Sequence, residues 1–77
     1  MKIRQPNHIQ PLYANFTVLD SKRGEVIVSF CLAEGDAKAP VATVVTKVVL
    51  QTANFERLVR LGQEQVEADK IRYGEAG

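Results

Sequence analysis

Few side chains in this sequence are of the types that perform covalent or acid–base chemistry, and those few lie far apart. The 77 residues include one histidine, His8, and one cysteine, Cys31. General-base catalysis by an imidazole needs a nucleophile and an orienting acid beside it, whereas His8 lies in a proline-rich N-terminal segment. Cys31 would need a thiolate near positive charge to act as a nucleophile. Its place in an apolar segment indicates a small packing residue instead.

The other polar residues also lack a spacing that supports catalysis or ligand binding. A structural zinc site needs four Cys or His ligands, more than this chain contains. Gly35-Asp36 has no phosphate-binding spacing around it. Glu56 and Glu67 each have a base three or four residues further on, Arg60 and Lys70, which indicates ion pairs on a solvated helix surface. We therefore predict a protein that is not an enzyme and that has no catalytic, metal-binding or cofactor-binding residues.

Length and charge restrict the class of protein further. Ten Lys and Arg against nine Asp and Glu argue against a dedicated nucleic-acid or membrane-surface protein, which normally carries a basic excess. No apolar run reaches the roughly 18 residues that span a bilayer. A lone cysteine and no export signal predict a cytoplasmic protein. A domain this small is marginally stable, and with disulfides and zinc excluded, oligomerisation is the remaining support.

Hydrophobic periodicity predicts three strands and one helix. Residues 1–11 read as an extended basic arm, and residues 12–77 as a single domain. Strands are predicted over 12–20, 25–33 and 41–51, because apolar residues alternate in the first two and both faces are apolar in the third. The helix is predicted from an N-cap at Thr52 to a stop at Gly74. Its apolar stripe contains Phe55, Leu58, Val59, Gly62, Val66 and Tyr73.

These elements predict an α+β fold, a three-stranded antiparallel meander followed by one C-terminal helix and completed by oligomerisation. One helix covers one face of such a sheet, and the other face would leave an apolar patch larger than a monomer normally exposes. A two-fold copy of the same chain is the simplest cover, so a dimer is the expected assembly. The candidate interface residues are Tyr13, Leu19, Ile27, Val41, Val45, Val49, Leu61 and Ile71.

Two functions are consistent with this pattern. The first is a non-enzymatic structural or interaction protein, a homo-oligomer or a small subunit of a larger assembly. The alternative is a single-stranded nucleic-acid-binding module that uses the sheet face and the basic arm, through charge and base stacking. Phe16 and Phe30 are predicted to face the core, which leaves Tyr13 as the stacking residue. The candidate nucleic-acid contacts are Lys2, Arg4, Lys22, Arg23 and Lys47.

Several short motifs resemble a family of short prokaryotic proteins that is catalogued only as a domain of unknown function. That family reads Tyr-Ala-Asn at its first strand and Tyr-Glu-x-x-Phe-Gly after its helix. The resemblance covers about residues 12–75 and implies the same architecture, without an activity, cofactor or site. The matching segments are Tyr13-Ala14-Asn15, the valine-rich third strand, Leu58-Val59, Gln63-Glu64 and Arg72-Tyr73-Gly74-Glu75. The chain departs from the family at Gln51-Thr52 (Ser-Pro there), Gly62 (leucine there) and Asp69-Lys70 (Tyr-Glu there).

Overall fold

The computed structural model describes residues 1–74, which form three strands and one helix. The strands are β1 (Phe16–Lys22), β2 (Glu25–Glu34) and β3 (Val41–Gln51), and the helix is α1 (Thr52–Tyr73). The sheet is antiparallel in the order β1-β2-β3. The predicted meander with one C-terminal helix is therefore confirmed, and the bounds of β3 agree with the prediction residue for residue.

A two-residue turn joins β1 to β2. Arg23 has φ of 49° and Gly24 has φ of 83°, so both turn residues lie in the left-handed region. Hairpins favour such turns because their twist matches the right-handed twist of the strands. Glycine reaches this region without a steric cost, whereas arginine does not. The turn therefore contains one well-suited residue and one strained residue.

Asn15 accounts for the start of β1 at Phe16 rather than at the predicted Leu12. Its backbone N–H donates to the carbonyl of Cys31 at 3.0 Å. Its side chain then bonds to the backbone of Ala33: Oδ1 accepts from the N–H at 2.6 Å, and Nδ2 donates to the carbonyl at 3.2 Å. The side-chain amide of Asn15 thus makes the two hydrogen bonds to Ala33 that the backbone of a further strand residue would make. Regular strand pairing therefore ends at Asn15.

The loop between β2 and β3 is held by Asp36. Its Oδ1 accepts the backbone N–H of Lys38 and of Ala39, each at 2.9 Å. Gly35 has φ of 94°, and a Cβ at this position would collide with the carbonyl oxygen of Ala39. The loop therefore requires a glycine, and its aspartate forms a local turn of the kind that Asx residues favour.

Buried residues within 1–74 are confined to β2. Val26 and Val28 are buried, as the alternating pattern predicts, and Ser29 and Cys31 are buried as well. Because β2 has a neighbouring strand on each edge, its small side chains are covered on both faces of the sheet. Cys31 is thus a small packing residue.

The chain divides into two compact units. The division falls between Val18 and Leu19, between Val28 and Ser29, and between Lys47 and Val48, so that it cuts all three strands. The first unit contains the N-terminal segment and the β2–β3 loop. The second unit contains the β1–β2 turn and α1.

Helix α1 follows β3 without a linker. The structure places the N-cap at Gln51, in an extended conformation without a side-chain cap bond, so the predicted cap Thr52 is instead the first helical residue. The helix ends before Gly74, whose φ of 68° fits the predicted glycine stop. No residue of α1 is buried, although the predicted stripe was expected to pack. Phe55 and Gly62 are half-buried and the rest of the stripe is exposed.

Candidate protein interface

β3 has a free edge. Within residues 1–74, the order β1-β2-β3 gives it a neighbouring strand on one side only. The N–H of Thr52, just after β3, donates to the carbonyl of Gly24, just before β2, at 2.9 Å, which aligns these two strand ends.

The side chains of β3 expose apolar surface on both faces. Val41, Val45 and Val49 have 60%, 39% and 55% of their surfaces exposed. Val44 and Val48 are also exposed. Edge strands of soluble proteins normally carry charges, prolines or bulges that prevent further pairing. β3 contains no proline, and Lys47 is its only charged residue.

The remaining predicted interface residues are exposed, with one exception. Tyr13, Leu19, Leu61 and Ile71 are all exposed, whereas Ile27 is half-buried because it lies on the central strand. The two units contain different members of this set. Tyr13, Val41 and Val45 belong to the first unit, and Leu19, Ile27, Val49, Leu61 and Ile71 belong to the second.

Helix α1 carries an open groove of about 630 Å³, lined by Val59, Gly62, Gln63, Val66 and Glu67. A Cβ added at Gly62 would meet no atom of the described residues 1–74 within 4 Å. A close approach of another part of this segment therefore does not account for the glycine. The apolar spacing along α1 predicted this face of the helix. Nothing in the sequence indicated that Gln63 and Glu67 would line the groove.

A second groove, of about 300 Å³, lies in the first unit. Residues just before β1 form one wall, and residues of β2 and β3 form the other. Sequence reasoning identified neither the groove nor Phe30 as part of it, because the path of the N-terminal segment is set by contacts distant in the chain. The lining residues are Gln10, Leu12, Ala14, Phe30, Val45 and Thr46.

The predicted nucleic-acid contacts are exposed but lie in three separate segments. Lys2 and Arg4 are near the N-terminus, Lys22 and Arg23 are at the β1–β2 turn, and Lys47 is on β3. The turn belongs to the second unit and the other three residues to the first.

Phe16 was predicted to face the core, and this prediction is wrong. Its side chain is 49% exposed. All seven residues of β1 are exposed, because β1 is the other edge of the sheet and nothing in residues 1–74 covers it. Tyr13, three residues earlier, is 75% exposed. Two aromatic side chains are therefore exposed near the start of β1, rather than one.

The side chains that could take part in catalysis or metal binding are not brought together. His8 is exposed, in a turn that the N–H of Ile9 closes by donating to the carbonyl of Pro6 at 3.1 Å. Cys31 is buried, with Sγ 3.8 Å from the carbonyl oxygen of Ser29. In residues 1–74, no three His, Cys, Asp or Glu side chains form a group that could hold a metal ion.

The apolar surface of α1 does not form a membrane span. Over the part of the chain that the structure describes, no helix combines the length and the apolar character needed to cross a bilayer.

Comparison of the sequence and the structure with known protein families, curated proteins and solved structures gives no match.

Proposed function

We propose that this chain is a non-enzymatic interaction protein of the cytoplasm that assembles with copies of itself, most simply as a dimer. One observation carries the proposal, which is the exposed valine surface of β3 on a strand with an unpaired edge. Soluble proteins rarely leave a continuous apolar patch uncovered unless it binds something. In this proposal the chain acts by surface complementarity.

The small core gives independent support. Val26, Val28, Ser29 and Cys31 are the buried residues of the described chain. A domain of this length buries a low fraction of its surface even when well packed, and four buried positions stabilise it little. Small domains without disulfides or metals commonly gain the missing stability by association.

The size of the exposed surface fits a dimer. Fully burying an aliphatic side chain is worth about 1.5–3 kcal/mol, so covering a half-exposed valine is worth roughly 1 kcal/mol. Association costs on the order of 4–15 kcal/mol in lost freedom. One valine does not offset this cost, so a stable dimer has to cover several valines of both copies. The exposed valines of β3 are Val41, Val44, Val45, Val48 and Val49.

A second candidate function is binding of single-stranded nucleic acid. Exposure of Phe16 favours it, because Phe16 and Tyr13 together offer two ring faces on which bases could stack. Lys2 and Arg4 precede them in the same unit. The nearly balanced net charge argues against it, since affinity for nucleic acid depends on neutralising several phosphates.

One pair of measurements tests both functions. Sedimentation velocity over a hundredfold dilution should give twice the monomer mass at the upper concentrations, with dissociation on dilution. Fluorescence anisotropy with a labelled single-stranded oligonucleotide should give weak binding at physiological salt. A monomer throughout the series would contradict self-association. Submicromolar oligonucleotide binding that weakens steeply with salt, and that Tyr13→Ala and Phe16→Ala remove, would establish the second function.

A further inference from the structure

We propose that α1 pairs with α1 of a second copy, antiparallel and about a two-fold axis at the level of Gln63. The inference rests on the proposed self-association and adds a contact that the exposed valines of β3 do not supply. Two observations carry it. Helix α1 has no buried residue, and the charges along one side of its apolar stripe are complementary to the same charges in reverse order.

The apolar stripe of α1 has no cover within residues 1–74. In water, most of the stability of a protein helix comes from packing of its apolar face rather than from helix propensity. Val59 and Val66, which line the open groove, are nevertheless 46% and 53% exposed. Gly62 lies between them, and the distance between packed helices is shorter where the side chains at the contact are small. The groove is therefore suited to a second helix.

Four charged side chains and one amide lie along the side of α1 that includes Gln63 and Glu67. Successive members are three or four residues apart, so they share one side of the helix. Their signs in chain order are minus, plus, neutral, minus, plus, and in the reverse direction each charge is replaced by its opposite. The members are Glu56, Arg60, Gln63, Glu67 and Lys70, and all of them are exposed.

A two-fold axis at Gln63 sets opposite charges against each other. Glu56 and Lys70 are each seven residues from Gln63, so Glu56 lies opposite Lys70 of the second copy. Arg60 and Glu67 are three and four residues from it, so they are level to within about 1.5 Å, the rise of one residue. Gln63 meets Gln63 of the second copy, where each amide can donate and accept. Charged residues beside an apolar contact select the partner and the orientation of packed helices.

The apolar residues of the stripe follow the same symmetry. The midpoint of Val59 and Val66 is position 62.5, and the midpoint of Phe55 and Tyr73 is position 64. Both midpoints are within one residue of the proposed axis. Val59 of each copy therefore lies beside Val66 of the other, and Phe55 lies near Tyr73 of the other. One axis thus covers apolar side chains and pairs opposite charges.

A parallel pair of the same helices matches less well. Each residue would then lie opposite its own copy, which sets Glu56 against Glu56 and Lys70 against Lys70. Like charges that meet across a contact disfavour that arrangement. The charge order therefore selects the antiparallel orientation.

Charge reversal tests the pairing. In Glu56→Lys both charged contacts at position 56 set lysine against lysine, and in Lys70→Glu they set glutamate against glutamate. We expect each variant to raise the dimer dissociation constant about tenfold at low salt, and less at high salt, where charges are screened. In a 1:1 mixture of the two variants, every lysine at these positions can face a glutamate. Sedimentation velocity on the mixture should therefore give a dissociation constant close to that of the wild type.

The matched control is Arg57→Glu. It also exchanges an exposed basic side chain for an acidic one, but on the side of α1 away from the groove, so it should leave the dissociation constant unchanged. Circular dichroism checks that each variant keeps its helix. A wild-type dimer that neither reversal weakens, or a mixture that stays as weak as its components, would overturn the pairing of α1 while the proposed self-association stands. A monomeric wild type would overturn both.

Discussion

The side-chain amide of Asn15 makes both backbone hydrogen bonds of Ala33, accepting from its N–H at 2.6 Å and donating to its carbonyl at 3.2 Å. The residues are 18 positions apart in sequence and lie at the same end of β1 and β2. A planar amide offers one donor and one acceptor, as a peptide group does. Asn15 therefore extends the pairing of β1 and β2 by one side chain and ends it there.

Asn15→Ala should lower the free energy of unfolding by about 1–2 kcal/mol, because two exposed hydrogen bonds are lost and the backbone of Ala33 is left without that partner. Urea denaturation at one fixed protein concentration measures this. Asn15→Asp tests the donor, since it keeps the acceptor and sets a carboxylate oxygen against the carbonyl of Ala33, so it should also destabilise the fold. If Asn15→Ala unfolds at the wild-type midpoint, the amide contributes nothing to stability.

Arg23→Asn should stabilise the fold by roughly 0.5–1 kcal/mol. Arg23 occupies the left-handed region with φ of 49°, where most residues lose about 1–2 kcal/mol and asparagine loses less. Asn-Gly is also the sequence that favours this turn most strongly. Thermal melts of the two proteins compare their stabilities. Arg23→Val, which is β-branched, should instead destabilise, and a higher melting temperature for that variant would contradict the argument.

Asp36→Ala should destabilise the β2–β3 loop by about 1 kcal/mol. The N–H of Lys38 loses its side-chain acceptor, and the N–H of Ala39 keeps only the backbone carbonyl of Asp36, at 3.2 Å. Asp36→Asn is the control, since its amide oxygen retains the acceptor and only the charge is removed. Native-state hydrogen exchange at the amide of Lys38 reports the change directly. Faster exchange in Asp36→Ala but not in Asp36→Asn is the expected result, and equal exchange in the two variants would contradict it.

Gly62→Ala should stabilise α1 by up to about 1 kcal/mol, since alanine has the higher helix propensity and a Cβ at this position meets no atom within 4 Å. Unfolding by urea measures the gain. If β3 alone mediates the contact between copies, the dimer dissociation constant should not change. A weaker dimer with a more stable monomer would show that the groove of α1 also contacts a second copy.

The alternation in residues 25–33 and the two-sided apolar run at 41–51 were sufficient to predict β2 and β3. These patterns are local, and they depend only on the period with which side chains alternate along a strand. Gly74 likewise indicated the end of α1, because a helix stop depends on the conformational freedom of a single residue. The sequence by itself therefore determined the order and type of the elements, and it indicated that Val41, Val45 and Val49 share a face.

Only the tertiary structure decided which of these surfaces remain uncovered. Phe16 has the periodicity of a core residue and yet is half-exposed, because coverage depends on which strand becomes an edge. Asn15 gave no local sign of its bonds to Ala33, since its partner lies 18 residues away. The free edge of β3 follows from strand order, which is a long-range property of pairing that the pattern within one strand does not encode.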